Sequence, residues 1–355
     1  MARLMISHGG ALGDNGYILP ALNGLRKLYD EIYMCGLNQA FVALAETELV
    51  DRFIVKPIGF ESWDLKQQRD WLIHEVKDID FDAKINFNGV IPGRYMFHAE
   101  DPKSEMSLAW KRDNVSGVSF FDAMSERAIN STINPTTGQS ILSLTNPIGK
   151  RPETKFSANE RIWLNEFRNE YGIPDGAFLL GWQFTGSAKI KWYPFFDEVI
   201  QHGIMNKYPQ VYVVGLGDIN NKIKWDYKYH RGRFINLGNR VSFRQAYILT
   251  SILNCLVSPE TGLMVFAQCF SQVPKILLAT HSYGYHYSFP ETIIVQSESA
   301  CSPCYKIVND CIHDGDNPWS LCMGKIAPEK VIETIEKVIS SKLGFVPQPN
   351  LQISN

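Results

Sequence analysis

Residues 254–268, NCLVSPETGLMVFAQ, decide how the rest of the chain is read. NCLVS has the length and apolar character of a buried strand, and TGLMVFAQCF reads as a buried helix. Between them stand Pro259, Glu260, Thr261 and Gly262. A strand feeding a helix through such a turn is the unit of a mostly parallel α/β sheet. A helix start carries N–H groups without intrahelical partners and the positive end of the helix dipole. The N–H groups of Thr261, Gly262 and Leu263 are therefore candidates for an anion site. Gly262 leaves room for a phosphate, and Glu260 is placed to hold sugar hydroxyls beside it. A plainer reading stays open, with Thr261 as a helix N-cap and Glu260 as a solvated loop residue.

The same alternation extends outward in both directions. RLMIS and EIYMCG read as strands around a helical pattern of Ile18, Leu22, Leu25 and Leu28. ETELVDRFIVKPI and FDAKINFNGV continue it. Residues 92–115 are polar and irregular and read as a long loop. TNPIGKRPETKFS, residues 145–157, concentrates Pro, Gly, Lys and Ser and is the best linker candidate. Beyond it come helix ANERIWLNEFRNEYG, strand AFLLGWQF, helix WYPFFDEVIQHGI, strand QVYVVGLG and helix SFRQAYILTSIL. Strand PKILLAT and a last helix, PEKVIETIEKVISSKLG, follow the opening stretch. Two α/β halves, 1–150 and 151–355, are expected to face each other across a cleft. Ligands in such sheets sit at the carboxyl ends of the strands.

Composition narrows the function classes. The 355 residues are 45% hydrophobic and 20% charged, which supports a sizeable core. The formal charge of -2 argues against a general electrostatic grip on nucleic acid. Only Lys103, Lys111 and Arg112 suggest a local basic patch. No apolar run is long enough to cross a bilayer, and the first residues do not read as a signal peptide. Seven cysteines, an odd number, fit a reducing compartment, so a cytoplasmic protein is expected.

Two further stretches carry polar groups to the same cleft. HGGALGDNGYILPAL, residues 8–22, is glycine-rich after the first strand. It fails the dinucleotide fingerprint because His8 stands where a glycine is needed. Gly10 and Gly13 shape its turn, and Asp14 opens the next helix. Asp14 is either a general base or a helix cap. In GSAKIKWYPFFDEVI, Lys189 and Lys191 follow the first strand of the second half. Either can neutralise a leaving diphosphate, or be an ordinary solvated lysine.

In order along the chain, these pieces resemble the ADP-heptose:lipopolysaccharide heptosyltransferases, glycosyltransferase family 9. GALGDNGYILPAL is similar to the family's G-D-x-x-x-x-x-P-A-L, and KWYP to its K-x-W-P. VSFRQAYILTSILNCLVSPETGLMVFA follows its segment from a serine-led helix to D-T-G-x-x-H-x-A without a gap, and CSPC resembles its C-x-P-C. Two departures stand out. Glu260 replaces the aspartate, and the histidine falls by direct count on Val265. The resemblance implies a GT-B fold, two Rossmann-like domains facing across a cleft, with the final helix packing back on the first domain. It implies inverting transfer from a nucleotide diphosphate sugar, an ADP-sugar first, with no catalytic metal. Asp14 would be the base. Lys191, Lys189 and the 261–263 turn would hold the diphosphate, and Val241 would lie where the base packs. The family's acceptor is the lipopolysaccharide core, which implies peripheral membrane association. A different acceptor (protein, small molecule or modified nucleic-acid base) and a binder without turnover are the rival readings.

Cys301, Cys304, Cys311 and Cys322 are spaced to hold one tetrahedral zinc or iron, with His313 as a substitute ligand. That metal would be structural and would keep HDGDNPWS in place. Some relatives of this family carry a four-cysteine iron site. Ordinary reduced thiols are the alternative.

Overall fold

The structure is a computed structural model. It describes residues 1–8, 13–45, 47–87, 120–131, 156–217, 232–287, 289–305, 311 and 313–343. The expected long loop, the basic patch, Gly10 and all but the end of the linker lie outside these residues.

In the first half β1 (Arg3–His8) leads to the short helices α1 (Asp14–Tyr17) and α2 (Leu19–Leu25). Sequence periodicity suggested one helix here. The break falls at Ile18, just before Pro20, whose ring lacks the N–H a continuous helix would use. Then come β2 (Glu31–Gly36), α3 (Asn38–Leu44), β3 (Arg52–Val55), α4 (Leu65–Val76), β4 (Ala83–Asn86) and α5 (Phe120–Ser131). The sequence reading named none of α3, α4 and α5. α4 starts on a capping box, with the Asp64 carboxylate accepting from the Gln67 N–H at 2.8 Å. The four strands pair in parallel in the order β3-β2-β1-β4.

The second half begins with α6 (Ala158–Glu170), started by the Ser157–Glu160 capping box. β5 (Phe178–Gln183), a π-helical segment at Glu198–Met205, β6 (Val211–Leu216), β7 (Phe234–Asn236) and α7 (Phe243–Leu249) follow. Next are β8 (Cys255–Pro259), α8 (Gly262–Phe270), β9 (Lys275–Ala279), β10 (Thr292–Gln296), α9 (Leu321–Gly324) and α10 (Pro328–Leu343). The second sheet is also parallel, ordered β10-β9-β8-β5-β6-β7. β5, β8 and β9 are buried on both faces, which explains their unbroken apolar runs.

The last helix corrects one expectation. Its apolar side, Val331, Ile335, Val338 and Ile339, joins a second-half core that includes Val199, Ile200 and Ile204. Lys207 pairs with Glu336 at 2.5 Å on the same side. The described part of α10 therefore packs on its own half, because that is where its apolar stripe finds a matching one.

Candidate active site

The two sheets present the carboxyl ends of β1 and β8 to each other. α1 and α8 begin there, and their first turns meet. A Cβ built on Gly13 would lie 3.2 Å from the Gly262 Cα and 3.5 Å from its nitrogen. Gly13 therefore serves by having no side chain: any larger residue would crowd the α8 N-terminus. Gly13 is also the N-cap residue of α1, and no side chain caps that helix. Asp14 is thus not the cap. It is the acidic residue of the first turn, facing the positive end of α1.

Thr261 is the N-cap of α8, its hydroxyl accepting from the Met264 N–H at 3.3 Å and lying 3.0 Å from the Ser258 hydroxyl. Both readings of this turn therefore hold at once. The side chain caps, and the first-turn N–H groups still point out of the helix end. Leu263 is buried and can contribute only its backbone. Val241 is half-buried against the core, just ahead of the Ser242–Gln245 capping box that starts α7.

Lys191 joins this constellation. Its stem crosses Gly186, where a Cβ would lie 2.6 Å from the lysine Cδ and 3.1 Å from the Thr261 methyl carbon. Its ammonium donates to the Ser187 hydroxyl at 3.5 Å, and the residue is only 8% exposed. Burial pushes its pKa down, while the carboxylates of Glu260 and Asp14 act against that shift. One buried cation thus stands in the field of the first half's carboxylate and beside the second half's anion turn.

Lys189 is placed differently. Its ammonium lies 3.3 Å from the Asp314 carboxylate and donates to the Asn317 carbonyl at 2.8 Å. Asp314 also accepts from the Leu321 N–H at 2.9 Å. This set holds the 313–320 segment, the task the sequence reading gave to a metal. The expectation of a donor-binding Lys189 is corrected accordingly.

Glu260 is corrected as well. It is 3% exposed and lies inside the protein, not in solvent. Its Oε2 accepts from the Thr280 N–H at 2.9 Å, the Thr280 hydroxyl at 3.3 Å and the His281 N–H at 3.2 Å. Oε1 accepts from the Ser282 N–H at 3.2 Å and from the Ser282 hydroxyl. His281 Nδ1 stands 2.7 Å from Oε2. Burial alone would raise the carboxyl pKa. His281 and the donors of residues 280–282 outweigh it and hold the group at about 2. With these donors already on both oxygens, Glu260 anchors the loop after β9 and has little capacity left for sugar hydroxyls. The extra methylene, compared with an aspartate, lets it reach that loop. Val265, also buried, packs against Gly16 of α1.

Sequence reasoning passed over His8. It ends β1, is 4% exposed, and neither ring nitrogen has a hydrogen-bond partner. Burial lowers its pKa to about 4, with the Asp14 backbone acting the other way, so the ring is neutral at pH 7. The signal was present: a histidine at the end of the first strand, where the fingerprint needs glycine.

The cysteines divide. Cys301 and Cys322 place their sulfurs 3.3 Å apart, and burial together with Cys301 and Cys304 pushes the Cys322 thiol up to about 12 against the Ser299 hydroxyl. Among the described residues no group of three or more His, Cys, Asp and Glu side chains is arranged to hold a metal ion. The expected four-cysteine set, Cys311 included, is not assembled as a ligand shell. No helix among the described residues is long and apolar enough to cross a membrane.

No protein-family model matches the sequence, and no curated protein sequence does. Solved structures do match. A glycosyl transferase family 9 protein from Veillonella parvula superposes with a TM-score of 0.65 at 16% identity, over 96% of this chain and 98% of that one. ADP-heptose lps heptosyltransferase II from E. coli gives 0.60 at 15% identity, over 97% and 100%. The iron-containing dodecameric glycosyltransferase TibC of enterotoxigenic E. coli gives 0.54 at 13%, over 96% of this chain and 76% of its own. At such identities the likeness establishes architecture, and with the two facing parallel sheets described above it gives this chain the GT-B glycosyltransferase fold.

Proposed function

We propose that the protein is an inverting glycosyltransferase that moves a sugar from a nucleotide diphosphate to an acceptor hydroxyl. One observation carries this reading. Asp14, Lys191 and the N-terminus of α8 converge where Gly13 meets Gly262. A carboxylate facing a cation and a helix N-terminus across a narrow gap suits an attack in which a proton leaves one side and a diphosphate the other. The halves divide near residue 150, the first bearing the base and the second the anion site.

In the reaction the acceptor oxygen bonds to the anomeric carbon while that carbon's bond to the diphosphate oxygen breaks. Asp14 takes the hydroxyl proton. The bonding pair leaves with the diphosphate, whose growing charge meets the Gly262 and Leu263 N–H groups and the Lys191 ammonium. A preorganised donor of this kind is worth about a hundredfold or more in turnover. All of this uses the chain's own groups.

The donor class is read from the anion turn together with neighbours of the same fold, one in complex with ADP and one with ADP-D-beta-D-heptose. An ADP-sugar, ADP-heptose first, is therefore the donor to try. A lipopolysaccharide core saccharide is the first acceptor to try, at a cytoplasmic membrane face. Release of ADP from ADP-heptose in the presence of acceptor, and its loss in Asp14→Asn, tests the reading. Donor affinity without any ADP release would make the protein a binder.

A further inference from the structure

The contact between α1 and α8 is closer than two hinged domains need. A Cβ on Gly16 would lie 2.6 Å from Val265 Cγ1 and 3.0 Å and 3.1 Å from the Phe266 ring. The first of these is a separation that carbon atoms do not adopt. The Cys269 thiol lies 3.6 Å from the Gly16 carbonyl, one turn further on. Gly13 against Gly262 and Gly16 against Val265 thus form two successive rungs of backbone-close packing.

Around these rungs the core is continuous. One buried cluster contains Leu4, Ile6 and Leu22 from the first half and Leu263, Phe266 and Leu277 from the second. Tyr17 packs edge-on to Phe120 at 5.4 Å, and Phe120 stacks on His286 at 4.5 Å with the rings 3° from parallel. Halves joined by a large apolar interface do not move apart by default, because separation would expose that surface to water. Val265 is also stiff: a β-branched side chain in a helix has one strongly preferred rotamer. This stiffness suits a spacer and is of no use to a donor-binding group.

We propose that Gly16 and Val265 are positioning residues. Their contact fixes α1 against α8, so Asp14 and the 261–263 turn hold their reactive spacing before substrate arrives. Donor and product exchange past this contact without the halves opening. The inference rests on the proposed roles of Asp14 and the turn, and it replaces the closure of two domains that a linker between them suggests. It also explains the residue at 265. The position where a histidine was expected is used for packing on the partner helix.

The test is a compensating pair with a scattering control. Gly16→Ala should lower kcat with ADP-heptose by tenfold or more, since displacements near 1 Å at a reacting centre cost about a hundredfold. Its Kd for ADP should stay within threefold. Adding Val265→Ala to Gly16→Ala removes the clashing methyl and should recover most of the lost kcat. A double variant as slow as the single one, or a Gly16→Ala protein with wild-type kcat, overturns the proposal. Should Gly16→Ala fold poorly, the wild-type protein decides through small-angle scattering. A radius of gyration unchanged by saturating ADP is expected, and a clear contraction on binding refutes the fixed contact. Scattering and the coupling of the two substitutions in Tm do not need turnover. If no nucleotide sugar reacts, the proposed function fails while these measurements still report on the contact.

Discussion

Glu260→Gln separates the two roles open to this residue. The substitution keeps the size of the side chain and removes its charge. In the native protein the carboxylate receives the N–H groups of Thr280, His281 and Ser282 at 2.9–3.2 Å, with His281 Nδ1 at 2.7 Å. Its pKa stands at about 2 against an ordinary 4.5. A difference of that size corresponds to about 3 kcal/mol in favour of the folded, ionised form. The folded pKa lies below the unfolded one, so this stabilisation is present above pH 4.5 and is lost as pH falls towards 2. At pH 7 the glutamine removes it and turns an amide N–H2 towards donors. A loss of about 3 kcal/mol should lower Tm by about 5 °C or more in a chain of this size. Calorimetry of both proteins at pH 7 and pH 3 is the assay. The gap should be wide at pH 7 and narrow at pH 3. A variant with wild-type Tm and an altered preference among nucleotide sugars would refute the anchoring role and return Glu260 to the donor.

Asp14→Asn should abolish ADP release while ADP affinity, measured by calorimetry, changes less than threefold; wild-type turnover would place the base elsewhere. Lys191→Ala should lower kcat about a hundredfold with a smaller effect on donor affinity, since it acts on charge that develops in the reaction. Lys189→Ala should instead lower Tm by freeing Asp314, and a drop in donor affinity with unchanged Tm would reverse the two lysines. His8→Leu should raise stability at pH 7 by about 1–3 kcal/mol, because it removes a buried ring without hydrogen bonds. The folded His8 pKa of about 4 lies below the ordinary 6.5, so the unfolded chain binds the proton first as pH falls. The stability gap between variant and wild type should therefore widen from pH 7 to pH 4, and a constant gap would mean His8 does not titrate this way.

The strands and turns that bear the site were legible because each is a local pattern. NCLVS is apolar on both faces because β8 lies inside a parallel sheet, and Thr261 follows it because a helix starts there. The turn with Gly13 and Asp14 was legible for the same reason. α4 was not: Ile73 on it is exposed, so its periodicity is diluted. The errors at the site all concern side chains whose partners lie far away in sequence. Lys189 and Lys191 are two residues apart, and nothing local says that one turns to Asp314 while the other lies in the field of Asp14.

Glu260 and Val265 make the same point about substitution within a motif. Each looked like a departure at a donor contact, and so like a change of specificity. In the folded chain both have protein partners, Glu260 on residues 280–282 and Val265 on Gly16. A motif position therefore carries two obligations, to the ligand and to the surrounding packing, and a residue can meet the second alone. The anion turn tolerates this because its chemistry lies in backbone N–H groups, which any residue supplies provided that Gly13 and Gly262 keep the approach open. Recognition of the sugar must then draw more heavily on groups beyond residues 260–265. The panel of nucleotide sugars that discriminates donors should accordingly respond less to substitutions at 260 and 265 than to those at residues lining the rest of the cleft.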